Sequence, residues 1–280
     1  MSTILGYSSN FDQQIQKLFA NGEQGFFYYP SDMGTMFQDA AGTIPTTTGQ
    51  PVGLMLDKSK GLVLGSELIP QPLNFNAWVK TGAVTSFTGN SFTSSAAGGC
   101  TLSVFGANNT KTHIFKLKGN STVAGALRNS TAGGVGLSIP IGSFDLTFIS
   151  PLVSTVGSSI YIALIGAGTL TIDSISIKEL TGNHAYQATS AARPILRDTP
   201  RRIYFDAVDD KLTTTFPAQL TGCTVVRSIP NVGTQILTGQ TIPTPYNNNT
   251  DHCGLIVINR ALTASETSQI TKLFNKSAGV

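Results

Sequence analysis

Charge is what this sequence has least of. Asp, Glu, Lys and Arg make up 12% of its 280 residues, about half of the roughly 25% usual in globular chains. The formal net charge is only +3. No stripe of Lys and Arg with interleaved aromatics occurs, so nucleic acid is not an expected partner. Three cysteines cannot all pair; Cys223 and Cys253 are the two that one bridge would join, leaving Cys100 over. The favoured expectation is three reduced, buried thiols. The longest apolar run, IYIALIGAGTL at 160–170, is too short and too broken by glycine to cross a bilayer, so no membrane insertion is expected. The opening MSTILGYSSNFDQQ has neither a basic stretch nor an apolar core, so no secretory signal is expected either.

Catalytic motifs are missing too. There is no HExxH, no G-x-S-x-G, no Walker loop and no cysteine pair at zinc spacing, so no enzyme, cofactor or metal is expected. Gly133-Gly134-Val135-Gly136 fits a turn better than a phosphate cradle.

Gly, Ser, Thr and Asn fill the space left by charge, a balance that favours strands and tight turns. Residues 9–20 predict a helix capped by Ser9 or Asn10, with Phe11, Ile15, Leu18 and Phe19 on one stripe and Asn21-Gly22 as its stop. A short apolar strand follows over 25–30. A second brief helix is expected after Ser31-Asp32, carrying Met33, Met36 and Phe37, and then a strand over 52–56. Residues 62–180 change character. No charge falls between Lys80 and Lys111, between Arg128 and Asp145, or between Asp145 and Asp173. Short alternating runs at 101–105, 113–117, 135–139, 145–149, 160–164 and 169–178 predict a sandwich or jelly roll of many strands. The last of them slips phase near Asp173, as a β-bulge would. The first style resumes from 183, with strands at 202–205, 223–229 and 254–259. A closing helix is announced by the capping box Thr263-x-x-Glu266, with Ile270, Leu273 and Phe274 inward and Gly279 as its stop.

Two short stretches organise the chain: PVGLMLDKSKG at 51–61 and GNHAYQATSAARPILR at 182–197. Together they spell one motif, D-K-S-G-x-G-N-H-A, interrupted by everything between. Neither outer piece closes a sheet alone, while joined they make a comfortable single domain. The expected organisation is therefore a split domain, 1–62 with 181–280, interrupted by an inserted domain, 63–180.

The outer pieces resemble the concanavalin A/laminin-G-like domains of bacteriophage virion proteins. The resemblance rests on GEQGFFYYPSDMGTMFQDAAGT (22–43), GQPVGLMLDKS (49–59), GNHAYQATSAARP (182–194), Phe205-Asp206-Ala207-Val208-Asp209-Asp210-Lys211-Leu212 with Ala207 where the family has Gly, and NRALTASE (259–266). The insert resembles, more weakly, a carbohydrate-binding-module-like jelly roll running from Glu67-Leu68-Ile69 through Trp78 to 173–178. The fold expected is mainly β: a concanavalin A/laminin-G-like sandwich with short terminal helices, interrupted by a β jelly roll. The function implied is that of a non-enzymatic virion protein of the tail or a tail fibre. Its implied partners are other virion proteins, sister subunits (a trimer) and host-surface polysaccharide.

Trp78, with Asn74 and Asn76 beside it, is the candidate sugar-stacking site, against packing of the same ring in the core. Asp206, Asp209 and Asp210 offer oxygen ligands for a hard cation, against a turn that uses these carboxylates on its own backbone; the turn is favoured. Asp251-His252 and His184 are the histidines a hydrolytic cluster would need, and His184 is expected to bond backbone at the splice. Glycoside cleavage needs two carboxyls across a groove, and the insert has only Glu67, Asp145, Asp173 and Glu179. The N-terminal helix and the FFYY stretch suit either docking on a partner or packing on their own domain. The alternatives are a head decoration protein, a secreted lectin-like module and a polysaccharide depolymerase.

Overall fold

The strands of this chain fall into two compact units, Met1–Val63 with Thr181–Val280, and Leu64–Leu180. The computed structural model describes residues 10–104, 111–128, 136–150 and 159–280; Ser9 and residues 133–135 of the glycine cluster lie outside them. Every strand pairing described is antiparallel. The protein is mainly β, with short helices near its ends.

The split unit has two principal sheets. The first runs in the order Gly25–Tyr28, Gly254–Ile258, Leu220–Ile229, Gly233–Ile242. The second runs Tyr246–Asn248, Leu212–Thr214, Ala185–Tyr186, Leu54–Met55, Met36–Phe37. Chain from before and after the insert is therefore hydrogen-bonded in adjacent rows: Ala185 pairs with Met55 and Tyr186 with Leu54. Val52, Met55, Ile203 and Phe205 share one core, together with Phe26, Tyr28, Val257 and Leu212.

Strands Gly25–Tyr28 and Gly254–Ile258 are buried along their whole length. That is why they read as unbroken apolar runs rather than alternating ones. Phe26 and Tyr28 face the first core. Phe27 points the other way, into a second core with Ile256, Ile258, Ile270 and Phe274 and with Ile15, Leu18 and Phe19 of the N-terminal segment. The helices α1 (Asn10–Gln16) and α2 (Ala264–Ala278) flank this layer. Helix α1 tightens into a 3-10 turn over Lys17–Phe19. Helix α2 begins with the capping box between Thr263 and Glu266 and ends at Gly279, whose φ of 84° is the left-handed stop. Just before it, the Arg260 guanidinium forks onto both Glu266 oxygens, at 2.7 and 2.9 Å, and reaches Glu23 and the Leu18 carbonyl. NRALTASE thus ties α2 to the opposite end of the sequence.

The inserted unit wraps one nearly closed, barrel-like sheet around a single core. Its path is Gly142–Ser150, His113–Ser121, Gly168–Leu180, Ser91–Ser103, Ser159–Leu164, Gly125–Arg128, Gly136–Ile139, with Leu64–Glu67 and Val79–Thr88 pairing off it. The core holds Phe75, Trp78, Phe92, Phe115, Phe148, Ile162, Leu170 and Ile177. The bulge falls between Ile172 and Ser174, as the phase slip at Asp173 required.

Two expectations need correction. Met33–Thr35 is only a 3-10 turn, and Met36 and Phe37 form a strand against Met55 and Leu54. Ladder bonds to a buried neighbour outweigh a two-turn apolar spacing that is too short to nucleate a helix. The longest hairpin of the insert, Val79–Thr88 with Ser91–Ser103, extends far beyond the short run expected at 101–105. Its Ser, Thr, Ala and Gly content hides the alternation, because most of its side chains are small or exposed.

Candidate functional site

Chemistry-bearing side chains gather at two places in the split unit, and the first is the splice. Asp57 is fully buried. Its carboxylate accepts four hydrogen bonds: from Phe27 N at 2.8 Å, Ser59 N at 2.8 Å, Ser59 Oγ at 2.9 Å and Asn183 N at 2.7 Å. Burial still pushes its pKa up to about 6, against the lowering effect of these donors. The Asp57 N–H donates to His184 Nδ1 at 2.9 Å, which places the neutral ring's proton on Nε2. Lys58 N donates to the Phe27 carbonyl and Asn183 Nδ2 to the Gly25 carbonyl. Tyr28 Oη donates to the Asn183 carbonyl and lies 2.7 Å from Thr214 Oγ1.

These bonds explain the motif letter by letter. The outer edge of Gly25–Tyr28 pairs with no further strand among the described residues; the Asp57 carboxylate, the Lys58 backbone N–H and the Asn183 side-chain amide meet its open groups instead. Gly182 is required because a Cβ there would lie 3.0 Å from Asp57 Oδ2 and 3.1 Å from His184 Cε1, at a φ of 138°. The Asp57 carboxylate and the His184 ring are buried and bond to the protein itself.

The second place is a cleft of about 730 Å³, also in the split unit. It is lined by Phe11 and Asp12 of α1, by Tyr29, Ser31, Asp32 and Lys58, by Pro200 and Arg201, and by Leu273, Lys276 and Ser277 of α2. Its volume falls within the 300–1,000 Å³ or so of small-ligand sites. Lys58 forms its floor. The ammonium sits 2.7 Å from Asp12 and also contacts Asp32, and its side chain is 5% exposed. The Asp12 side chain is equally buried, while that of Asp32 is 34% exposed and faces water. Phe11 and Tyr29 stack at 4.3 Å beside them.

The residues singled out from sequence fall elsewhere. Trp78 is 6% exposed and packs edge-on against Phe75 in the core of the insert. Its ring is taken up by protein, which removes the stacking face that a sugar platform at Trp78, Asn74 and Asn76 would have used. Asn74 and Asn76 are exposed, and Asn74 Oδ1 caps the turn by accepting from Asn76 N. Asp206, Asp209 and Asp210 do converge, with carboxylate oxygens within 4.8 Å of one another. They serve the turn itself: Asp206 Oδ1 accepts from Val208 N and Asp210 N, and Asp210 Oδ2 accepts from Asp206 N.

His252 is fully buried and stacks on Phe205, and burial lowers its pKa to about 4. The adjacent Asp251 accepts from Phe205 N. Of the insert's acids, Glu67 accepts from Ile69 N, Ile177 N and Ser176 Oγ, and Glu179 pairs with Lys111. Asp145 and Asp173 are exposed.

The cleft was missed in the sequence because its walls come from five separate segments. The signal that could have found it is the scarcity of charge: five of its lining residues are ionic in a chain with few. Compared with known proteins, the chain matches no family model and no curated protein.

Proposed function

We propose that this chain is a non-enzymatic structural protein of a bacteriophage particle, belonging to the tail or a tail fibre. The split unit is its mounting base, and the inserted unit is the module that meets host-surface polysaccharide. It assembles with other virion proteins and with copies of itself, as a trimer.

One observation carries this reading. The residues on which the resemblance to phage concanavalin A/laminin-G-like domains rests are the residues that hold the split unit together. Asp57 to Ser59 and Gly182 to Ala185 meet at one buried carboxylate. The 205–212 stretch makes the carboxylate-bonded turn, and 259–266 makes the Arg260–Glu266 latch. A motif whose letters each have a mechanical reason is better grounds for a family expectation than bare similarity. Glycan contact by the insert draws support from its polar sheet face, where Lys116, Lys118, Asn120 and Ser174 are exposed in neighbouring rows.

The test is mass spectrometry and immunogold labelling of gradient-purified particles. Gold on the tail is the expected result; gold on the capsid moves the protein to head decoration, and absence from the particle overturns the proposal. Incubation with host capsule or lipopolysaccharide should release no reducing ends. Sustained release would make the protein a depolymerase.

A further inference from the structure

We propose that the cleft of the split unit binds an acidic saccharide, a ligand carrying hydroxyls and a single carboxylate. The inference rests on the cleft's own chemistry and not on a place in a virus particle.

Its floor provides the hydroxyl-binding half. An ammonium has three donors. Those of Lys58 are directed at Asp12 and Asp32, and a third meets no acceptor of another residue among the described residues. Beside it, the Asp32 carboxylate is bonded to Lys58 on one side and open to water on the other. A sugar hydroxyl both donates and accepts, so it fits a carboxylate and an ammonium held side by side. The pairing with Asp12 and the packing of Tyr29 on Phe11 fix the two groups before a ligand arrives, which reduces the ordering cost of binding.

The opposite wall provides the carboxylate-binding half. Lys276 stands exposed in the last turn of α2 and makes no ion pair among the described residues. Arg201 spends its Nε on Asp198, which leaves the rest of its guanidinium fork. Lys58 is shared by Asp12 and Asp32 and Arg201 is paired with Asp198, so Lys276 is the cation of the lining that has no carboxylate partner among the described residues. A single carboxylate matches Lys276, whereas a phosphate dianion would bring a second negative charge up to Asp32. The aromatic edges of Phe11 and Tyr29 and the side chain of Leu273 offer the apolar surface that a pyranose ring's C–H groups need.

The test is calorimetric titration of the full chain at about physiological ionic strength, with galacturonate, galactose and acetate as probes. Galacturonate should bind saturably at one site per chain, and the neutral sugar and acetate at least about tenfold more weakly. Lys276→Gln and Arg201→Gln should each weaken galacturonate by about tenfold, the loss of one charge-assisted hydrogen bond, while leaving the melting temperature of Lys276→Gln unchanged. Should Arg201→Gln fold poorly once Asp198 loses its partner, Lys276→Gln decides alone. No saturable binding, equal binding of acetate, or binding indifferent to Lys276→Gln would overturn the proposal.

Discussion

His113 should make the inserted unit acid-labile. The imidazole is 5% exposed on strand His113–Ser121, opposite Glu179. Burial lowers its pKa to about 4 from 6.5, against the opposing pull of Glu179. The folded unit therefore holds it neutral while the unfolded chain takes up a proton below pH 6.5. Stability is complete above pH 6.5 and falls as pH drops towards 4. The difference of about 2.5 pH units amounts to about 3 kcal/mol.

In the split unit, His252 works in the same direction and Asp57 in the other. Asp57, with its pKa raised to about 6, gains protons on folding between pH 6 and 4, so it adds stability as pH falls. Each is worth about 3 kcal/mol, and they nearly cancel. The two units should thus respond differently to the same acid. The assay is built in, because the single tryptophan lies in the core of the insert. Urea unfolding followed by Trp78 fluorescence should show a midpoint roughly 1–3 M lower at pH 4 than at pH 7. His113→Gln should remove most of that shift, and the far-UV transition of the split unit should move little. An unchanged fluorescence midpoint, or a full shift in His113→Gln, would refute the reasoning.

Asp57→Ala should cost at least about 3 kcal/mol, because four donors lose their acceptor inside the protein; thermal melting of the full chain checks it, and a loss under about 1 kcal/mol would deny the splice its structural role. Ala207 holds a φ of 63°, so Ala207→Gly should relieve strain and raise stability by about 1 kcal/mol in a urea titration. Trp78→Ala should cost roughly 3–5 kcal/mol as a core truncation; weakened glycan binding at unchanged stability would return that ring to a ligand role.

The splice is legible in the sequence because it is made of backbone-directed chemistry. An edge strand that must find acceptors inside the protein calls for Asp, Asn and a close-packed Gly, and those letters stand in the sequence. At Ala207, where the resembled family has Gly, the backbone is left-handed, with a φ of 63°. The bulge at Asp173 showed as a change of phase. The hairpin 79–103 did not show, since a strand of Ser, Thr and Gly has little hydrophobic rhythm. Met36 and Phe37 read as helix for the complementary reason: two apolar residues at helical spacing are also two strand residues, and only their partners at 54 and 55 decide. The cleft was invisible because a cavity is a property of distant segments meeting.

The insert leaves and rejoins the split unit at Val63 and Thr181, which share a hydrogen bond of 3.1 Å. Both connections to the insert therefore leave the split unit from one spot. Tension pulled through the insert arrives at that spot, where Asp57 and Asn183 hand it on to the rim of the first sheet. Any other folded body whose own ends lie as close together could hang from the same place, so the fixture is indifferent to its load.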